Sequence, residues 1–83
     1  MKVVIIEDEK LSAEHLSNLL KKADPSIMVL EYFDSVKNSV KAFKDGLTAD
    51  LIFLDIQLAD GLSFEIFNEV LIDTPIILSL IHI

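Results

Sequence analysis

Residues 51–55 have the sequence Leu-Ile-Phe-Leu-Asp, in which four apolar residues are followed directly by the carboxylate of Asp55. A short all-apolar run is typical of a parallel strand that is buried on both faces. Residues 3–6 (Val-Val-Ile-Ile) form a second run, which ends at Glu7 and Asp8. Because ligands of open α/β sheets bind outside the carboxyl ends of the strands, the two runs predict an acidic pocket at one edge of a parallel sheet.

The composition limits the class of protein. The chain has 83 residues, a hydrophobic fraction of 52% and a formal net charge of −7. This length allows one small domain, and the acidic balance argues against direct nucleic-acid binding by this segment. The chain has no Cys, which excludes disulfides and thiolate metal sites. The N-terminal apolar run is too short for a signal peptide or a membrane span, so we expect a cytoplasmic location and no membrane partner.

Strand and helix patterns alternate along the chain. Strands are predicted at residues 3–6, 27–33, 50–54 and 76–80, and helices at residues 10–23, along the stripe Val36, Val40, Phe43 and Leu47, and along the stripe Phe64, Ile66, Phe67 and Val70. Asp34 or Ser35 can cap the second helix, Gly46 can end it, and Asp60-Gly61 indicates a tight turn. The order β-α-β-α-β-α-β predicts a parallel sheet with right-handed crossovers.

The predicted topology brings three carboxylates together. The first and third strands are neighbours in a doubly wound sheet, so Glu7, Asp8 and Asp55 meet at its carboxyl edge. Carboxylates in one pocket repel each other, and a hard cation such as Mg²⁺ relieves that repulsion. Asp55 is then the candidate nucleophile, and Glu7 and Asp8 are the candidate metal ligands. Taken singly, each acidic residue reads as a loop residue or a helix cap, and Asp8 in particular can cap the first helix.

These motifs resemble the N-terminal part of a response regulator receiver domain. The matching stretches are residues 4–9 (Val-Ile-Ile-Glu-Asp-Glu), 50–58 (Asp-Leu-Ile-Phe-Leu-Asp-Ile-Gln-Leu), 60–62 (Asp-Gly-Leu) and 74–77 (Thr-Pro-Ile-Ile). The resemblance implies a flavodoxin-like (CheY-like) doubly wound parallel sheet that is truncated after the fourth strand. Glu7 in place of the more frequent Asp, together with residues 55–58, looks most like regulators with a LytTR-type DNA-binding output.

The resemblance also implies roles for the acidic residues. Asp55 matches the phosphoacceptor, which receives a phosphoryl group from a sensor histidine kinase in a Mg²⁺-dependent phosphorelay. Glu7, Asp8, Asp55 and the backbone carbonyl of Gln57 match the magnesium ligands. An attached effector domain, absent from these residues, would read the signal. His15 lies between apolar positions of the first helix, and we expect a surface or packing role for it rather than phosphorylation.

The C-terminal residues depart from the family pattern. The Thr or Ser that contacts the phosphoryl group in the family is replaced by Leu80, and Ser79 lies one residue too early. The family's later Lys and aromatic switch residue have no counterpart. Residues 78–83 resemble the translated end of a transposon used to prepare sequencing libraries. We therefore expect an incomplete receiver domain at residues 1–77 and a non-native tail at residues 78–83, with a natural short variant as the alternative.

Truncation predicts a weakened domain. We expect the apolar strands at residues 3–6 and 51–54 to lose cover on one face and the fourth strand to form a hydrophobic edge. The isolated chain should then be partly unfolded or self-associating.

Two alternative functions remain open. A phosphate-independent interaction module would keep the fold and lose the chemistry; Leu80 and the missing Lys favour this function for the fragment, though not for a full-length parent. A Mg²⁺-dependent phosphohydrolase would also use an aspartate nucleophile, but Gln57 stands where such enzymes usually carry a second Asp.

Overall fold

The structure, which is a computed structural model, describes residues 1–79. Strands and helices alternate along these residues. The strands are β1 (Lys2–Ile6), β2 (Met28–Phe33), β3 (Leu51–Asp55), β4 (Gln57–Leu58), β5 (Gly61–Leu62) and β6 (Ile76–Ser79). The helices are α1 (Lys10–Ala23), α2 (Val36–Lys44) and α3 (Ile66–Glu69), the last preceded by a 3₁₀ turn at Ser63–Glu65. The sequence therefore predicted α1 at its observed bounds and the four long strands to within one or two residues.

Four parallel strands form the main sheet in the order β2-β1-β3-β6. β1 and β3 are neighbours, with Val3 opposite Leu51 and Ile6 opposite Leu54. This order confirms the parallel sheet predicted from the alternation of elements and the flavodoxin-like, doubly wound arrangement implied by the family resemblance. Both strands that end in carboxylates therefore lie in the interior of the sheet.

Apolar side chains cover both faces of β1. One cluster of buried residues comprises Val4, Ile6, Ile52, Leu54, Leu58 and Ile66, against which side chains of α2 pack. The other comprises Val3, Ile5 and Ala13, against which Leu16 and Leu20 of α1 pack. The prediction that residues 3–6 lose cover is wrong, because α1 covers one face and α2, the β4–β5 segment and α3 cover the other. In β3, Leu51 and Phe53 are half-buried, so cover is partial only there.

The third helix is much shorter than the sequence predicted. The stripe from Phe64 to Val70 implied two helical turns, but α3 has four residues and Val70 is extended (φ −136°, ψ 135°). The preceding residues instead form an antiparallel hairpin of β4 and β5, in which Gln57 pairs with Leu62. The backbone N–H of Ser63 donates to the Ile56 carbonyl at 2.8 Å, which holds the chain close to β3 and delays the start of the helix.

β6 lies at one edge of the main sheet. It pairs with β3 through Ile76 to Ser79, and the side chains of Ile77 and Leu78 remain 46% and 43% exposed. Residues 80–83, which hold Leu80 and most of the predicted tail, lie outside the described residues. Among residues 1–79, no helix is long and apolar enough to cross a membrane.

Candidate metal centre

The parallel register of β1 and β3 places three carboxylates at one edge of the sheet. Ile6 lies opposite Leu54, so Glu7 and Asp55, the next residue of each chain segment, emerge at the same level. One carboxylate oxygen each from Glu7, Asp8 and Asp55 lies within 4.8 Å of the other two. The structure thus brings together the three acidic side chains that the sequence singled out.

The three carboxylates have different environments. Asp55 is buried, with 5% of its surface exposed, and its Oδ1 accepts a hydrogen bond of 2.8 Å from the N–H of Ile56. Glu7 is half-buried, and its Oε1 accepts a hydrogen bond of 3.1 Å from the N–H of Glu9. Asp8 is exposed. Asp8 does not cap α1, because Glu9 occupies the N-cap position. In this described helix, no side chain makes a capping hydrogen bond to the N-terminal N–H groups.

Burial and the neighbouring carboxylates both disfavour the charged form of Glu7. Burial is the largest cause and, together with the charge of Asp55 and the contact with Asp8, raises the pKa of Glu7 from 4.5 to about 7. The hydrogen bond from the Glu9 N–H opposes this rise. A divalent cation would offset the same repulsion, and carboxylate oxygens are the ligands that Mg²⁺ prefers. The donor set therefore fits a magnesium ion.

Comparison with known proteins supports a signalling family, although no family model matches the chain. The chain is 32% identical over 68 residues to the sensory transduction protein LytT of Bacillus cereus, and 36% identical over 69 residues to LytT of Enterococcus faecalis. These alignments cover 82% and 83% of this chain, but only 27% and 28% of the relatives. The chain thus spans little more than a quarter of the curated relatives it matches.

Solved structures agree with this relationship. The response regulator PhyR of Brucella abortus superposes with a TM-score of 0.76 at 26% identity, over 93% of this chain and 32% of that one. The signal receiver domain of a modulated diguanylate cyclase from Desulfovibrio desulfuricans gives a TM-score of 0.72 at 29% identity, over 94% and 62%. The chain is thus related to the receiver domains of response regulators.

Gln57 begins the hairpin that follows the buried Asp55. It is the first residue of β4, and its side chain is exposed. The hairpin base is fixed because the Ile56 carbonyl accepts from both the N–H and the Oγ of Ser63, at 2.8 and 3.1 Å. Leu58 anchors the same segment in the core. The family role of the Gln57 carbonyl as a metal ligand stays a prediction.

The hairpin also carries a contact that the sequence did not predict. Asp60 accepts hydrogen bonds from the backbone N–H groups of Val36 (2.7 Å) and Lys37 (3.1 Å) at the start of α2. These two bonds lower the pKa of the Asp60 carboxyl, and the bond from Val36 has the larger effect. The predicted cap at Ser35 is present as well, since its Oγ accepts from the N–H of Asn38 at 3.1 Å. In the sequence, Asp60-Gly61 predicted a turn, but it did not predict which groups the Asp60 carboxylate would bond to.

An open cleft of about 470 Å³ adjoins Glu7 and Asp8, two of the three clustered carboxylates. Its walls come from the end of β1, the first turns of α1 and the end of β2, and its lining residues are Glu7, Asp8, Lys10, Ala13, Glu14, Tyr32, Phe33 and Asp34. The cleft leaves Glu7 and Asp8 accessible from one side, whereas the buried Asp55 is not among its lining residues. His15 lies outside this lining and is exposed on α1, consistent with the surface role expected for it.

Proposed function

We propose that this receiver domain accepts a phosphoryl group on Asp55 from a sensor histidine kinase, in a magnesium-dependent phosphorelay. The observation that carries the proposal is the cluster of three carboxylates within 4.8 Å, of which Asp55 alone is buried at a strand end. A carboxylate oxygen of Asp55 forms the new bond to phosphorus, and the bond from phosphorus to the donor's imidazole nitrogen breaks. The imidazole leaves with the electron pair and takes a proton from solvent.

The surroundings of Asp55 support its role as the acceptor. Burial removes competing water, and the 2.8 Å hydrogen bond from the Ile56 N–H holds the carboxylate in one orientation. Glu7 and Asp8 lie nearer to solvent and would hold Mg²⁺, with Asp55 and the Gln57 carbonyl as further ligands. The metal would neutralise negative charge on the transferring phosphoryl group.

The longer relatives suggest how the signal would be used. Two LytT proteins are several times longer than the matched segment, so we propose that the parent protein carries an attached effector, of the LytTR DNA-binding type. Phosphorylation would bias a two-state surface that controls this effector. The receiver itself would be a cytoplasmic substrate of the kinase rather than an enzyme, without direct contact to nucleic acid or membrane.

Phosphorylation with a small-molecule donor tests the proposal. The 83-residue chain and the product of the parent gene are each incubated with acetyl phosphate and Mg²⁺, and the adduct is measured by intact mass and by its lability in base. We expect an adduct in the parent protein that is lost in Asp55→Ala and Asp55→Asn. Absence of the adduct from the parent protein would favour a phosphate-independent interaction module. Turnover of phosphate esters would favour the phosphohydrolase, which Gln57 argues against.

A further inference from the structure

Asp60 connects the tip of the β4–β5 hairpin to the N-terminus of α2. Its two carboxylate oxygens accept separate hydrogen bonds, Oδ1 from Val36 N–H at 2.7 Å and Oδ2 from Lys37 N–H at 3.1 Å. The residues lie 24 and 23 positions apart in the sequence, so these contacts join two elements that are remote along the chain. A carboxylate at a helix N-terminus also interacts favourably with the helix dipole.

Two different side chains accept hydrogen bonds from the backbone N–H groups in the first turn of α2. Asp60 accepts from the N–H groups of Val36 and Lys37, and Ser35 accepts from that of Asn38. The next N–H, from Ser39, already donates within the helix to the Ser35 carbonyl. Ser35 is the local cap, and Asp60 is a cap supplied by the hairpin. Removing either one weakens the same helix end, but only removal of Asp60 also detaches the hairpin tip.

The hairpin needs such an attachment. β4 and β5 contain two residues each, and a two-stranded ribbon has little stability by itself. Its base is held by Ser63, which donates twice to the Ile56 carbonyl, and Leu58 is buried. Asp60 supplies the contact at the opposite end. The segment from Asp55 to Ser63 is therefore fixed at its base, at its middle and at its tip.

The other end of the connection leads back to the acidic site. α2 begins two residues after Asp34, and β2 ends at Phe33, whose carbonyl accepts a 2.8 Å hydrogen bond from the N–H of Glu7. Glu7 is therefore connected to the hairpin through a series of contacts. Its N–H bonds to the end of β2, the chain continues from there into α2, and the start of α2 bonds to Asp60 in the hairpin. That hairpin starts at Gln57, two residues after Asp55.

We propose that Asp60 is a positioning residue for the metal centre, which holds the hairpin so that the Gln57 carbonyl stays beside the carboxylates. This inference rests on the proposed function, since it assigns Gln57 to the magnesium ligands. Asp60 itself contacts neither the metal nor the phosphoryl group. Its effect is transmitted through the fixed geometry of residues 57–60.

Asp60→Ala, Asp60→Asn and the matched control Ser35→Ala test the proposal. Mg²⁺ is titrated into each protein while backbone amides are followed by NMR, and amide exchange at Gln57 and Leu58 is measured without metal. We expect Asp60→Ala to weaken Mg²⁺ affinity roughly tenfold, the lower end of the range for residues behind metal ligands, and to speed exchange in the hairpin. Asn retains one acceptor and should fall between Ala and wild type, while Ser35→Ala should stay within about twofold of wild type.

Three results would overturn the inference. One is equal loss of Mg²⁺ affinity in Asp60→Ala and Ser35→Ala, which would reduce Asp60 to a stabiliser of α2. Another is unchanged Mg²⁺ affinity in Asp60→Ala despite faster exchange in the hairpin. The third is unchanged exchange at Gln57 and Leu58. If the wild-type protein itself fails to bind Mg²⁺, the proposed metal site fails, and the exchange measurement alone decides whether Asp60 fixes the hairpin.

Discussion

Lys2 and Asp50 are joined by two hydrogen bonds of 2.8 Å that run in opposite directions. The backbone N–H of Lys2 donates to Asp50 Oδ2, and the backbone N–H of Asp50 donates to the Lys2 carbonyl. This pair lies just before the β1–β3 ladder, in which Val3 is opposite Leu51. It therefore fixes the register that brings Glu7 and Asp55 to the same level at the far end of the two strands.

Substitution of Asp50 should test this register contact. Asp50→Ala removes the side-chain acceptor, and we expect a loss of about 1 kcal/mol in the free energy of unfolding, as for a lost cap. Asp50→Asn keeps an acceptor oxygen and should lose less. Urea unfolding followed by circular dichroism measures both. Equal stability of the Ala variant and the wild type would show that the backbone ladder alone sets the register.

The raised pKa of Glu7 predicts a pH-dependent response to magnesium. In the metal-free protein, the folded state favours protonated Glu7, so its stabilising contribution is present below pH 4.5 and is lost as the pH rises through about 7. Bound Mg²⁺ requires the charged carboxylate, so its stabilising effect should grow over the same interval. We expect the increase in Tm caused by Mg²⁺ to be larger near pH 8 than near pH 5.5. Glu7→Gln should flatten the metal-free pH dependence, and an unchanged profile in that variant would contradict the assignment.

Neutralising Asp55 should lower the pKa of Glu7. After burial, the charge of Asp55 is the main cause that raises this pKa. Asp55→Asn preserves the shape of the side chain and removes the charge, so the pKa of Glu7 should fall from about 7 towards 4.5. NMR titration of the Glu7 carboxyl carbon measures the change. A pKa that stays near 7 would mean that burial and the contact with Asp8 account for the shift without the charge of Asp55.

Two glycines with positive φ offer a matched comparison. Gly61 in the hairpin has φ 151°, and an added Cβ would lie 2.8 Å from Glu65 Oε2, whereas Gly46 after α2 has φ 101° and open space around it. Each Ala variant should lose about 1–2 kcal/mol from backbone strain. Thermal unfolding measures the loss, and Mg²⁺ titration separates the two sites. We expect only Gly61→Ala to weaken Mg²⁺ binding, and equal effects on binding would contradict a local role of the hairpin.

The exposed residues of β6 predict self-association of the 83-residue chain. Within residues 1–79, β6 has a strand neighbour on one side only, and both Ile77 and Leu78 are more than 40% exposed. An apolar edge of this kind pairs readily with another chain. Sedimentation velocity should show association that Ile77→Lys reduces. A monomer with a sharp two-state thermal transition would contradict this prediction.

The long elements and the acidic cluster were predictable because each leaves a periodic or positional signal. The Leu repeat of α1 and the all-apolar runs of β1 and β3 report burial directly. Glu7, Asp8 and Asp55 could be placed together because parallel strands end at a common edge, which the structure confirms for their positions. Their chemical roles remain predictions.

The region from Gln57 to Val70 was predicted poorly for physical reasons. Strands of two residues show no periodicity, so the β4–β5 hairpin left no pattern beyond the turn signal of Asp60-Gly61. The apolar stripe from Phe64 to Val70 suggested a longer helix, but only Ile66 is fully buried within it. Hydrogen bonds between residues remote in sequence, such as those that Asp60 accepts, depend on tertiary contacts that propensity does not encode.

The order β2-β1-β3-β6 has a consequence for how the molecule opens. β1 and β3 each have hydrogen-bonded neighbours on both sides, and their apolar residues contribute most of the buried core. Their amides should therefore exchange with solvent only when the whole domain unfolds, whereas the outer strands open by smaller fluctuations. Glu7 is the residue that follows β1, and Asp55 is the last residue of β3. An ion held between them would thus be linked to global unfolding, and its binding free energy would appear as protection of the entire sheet.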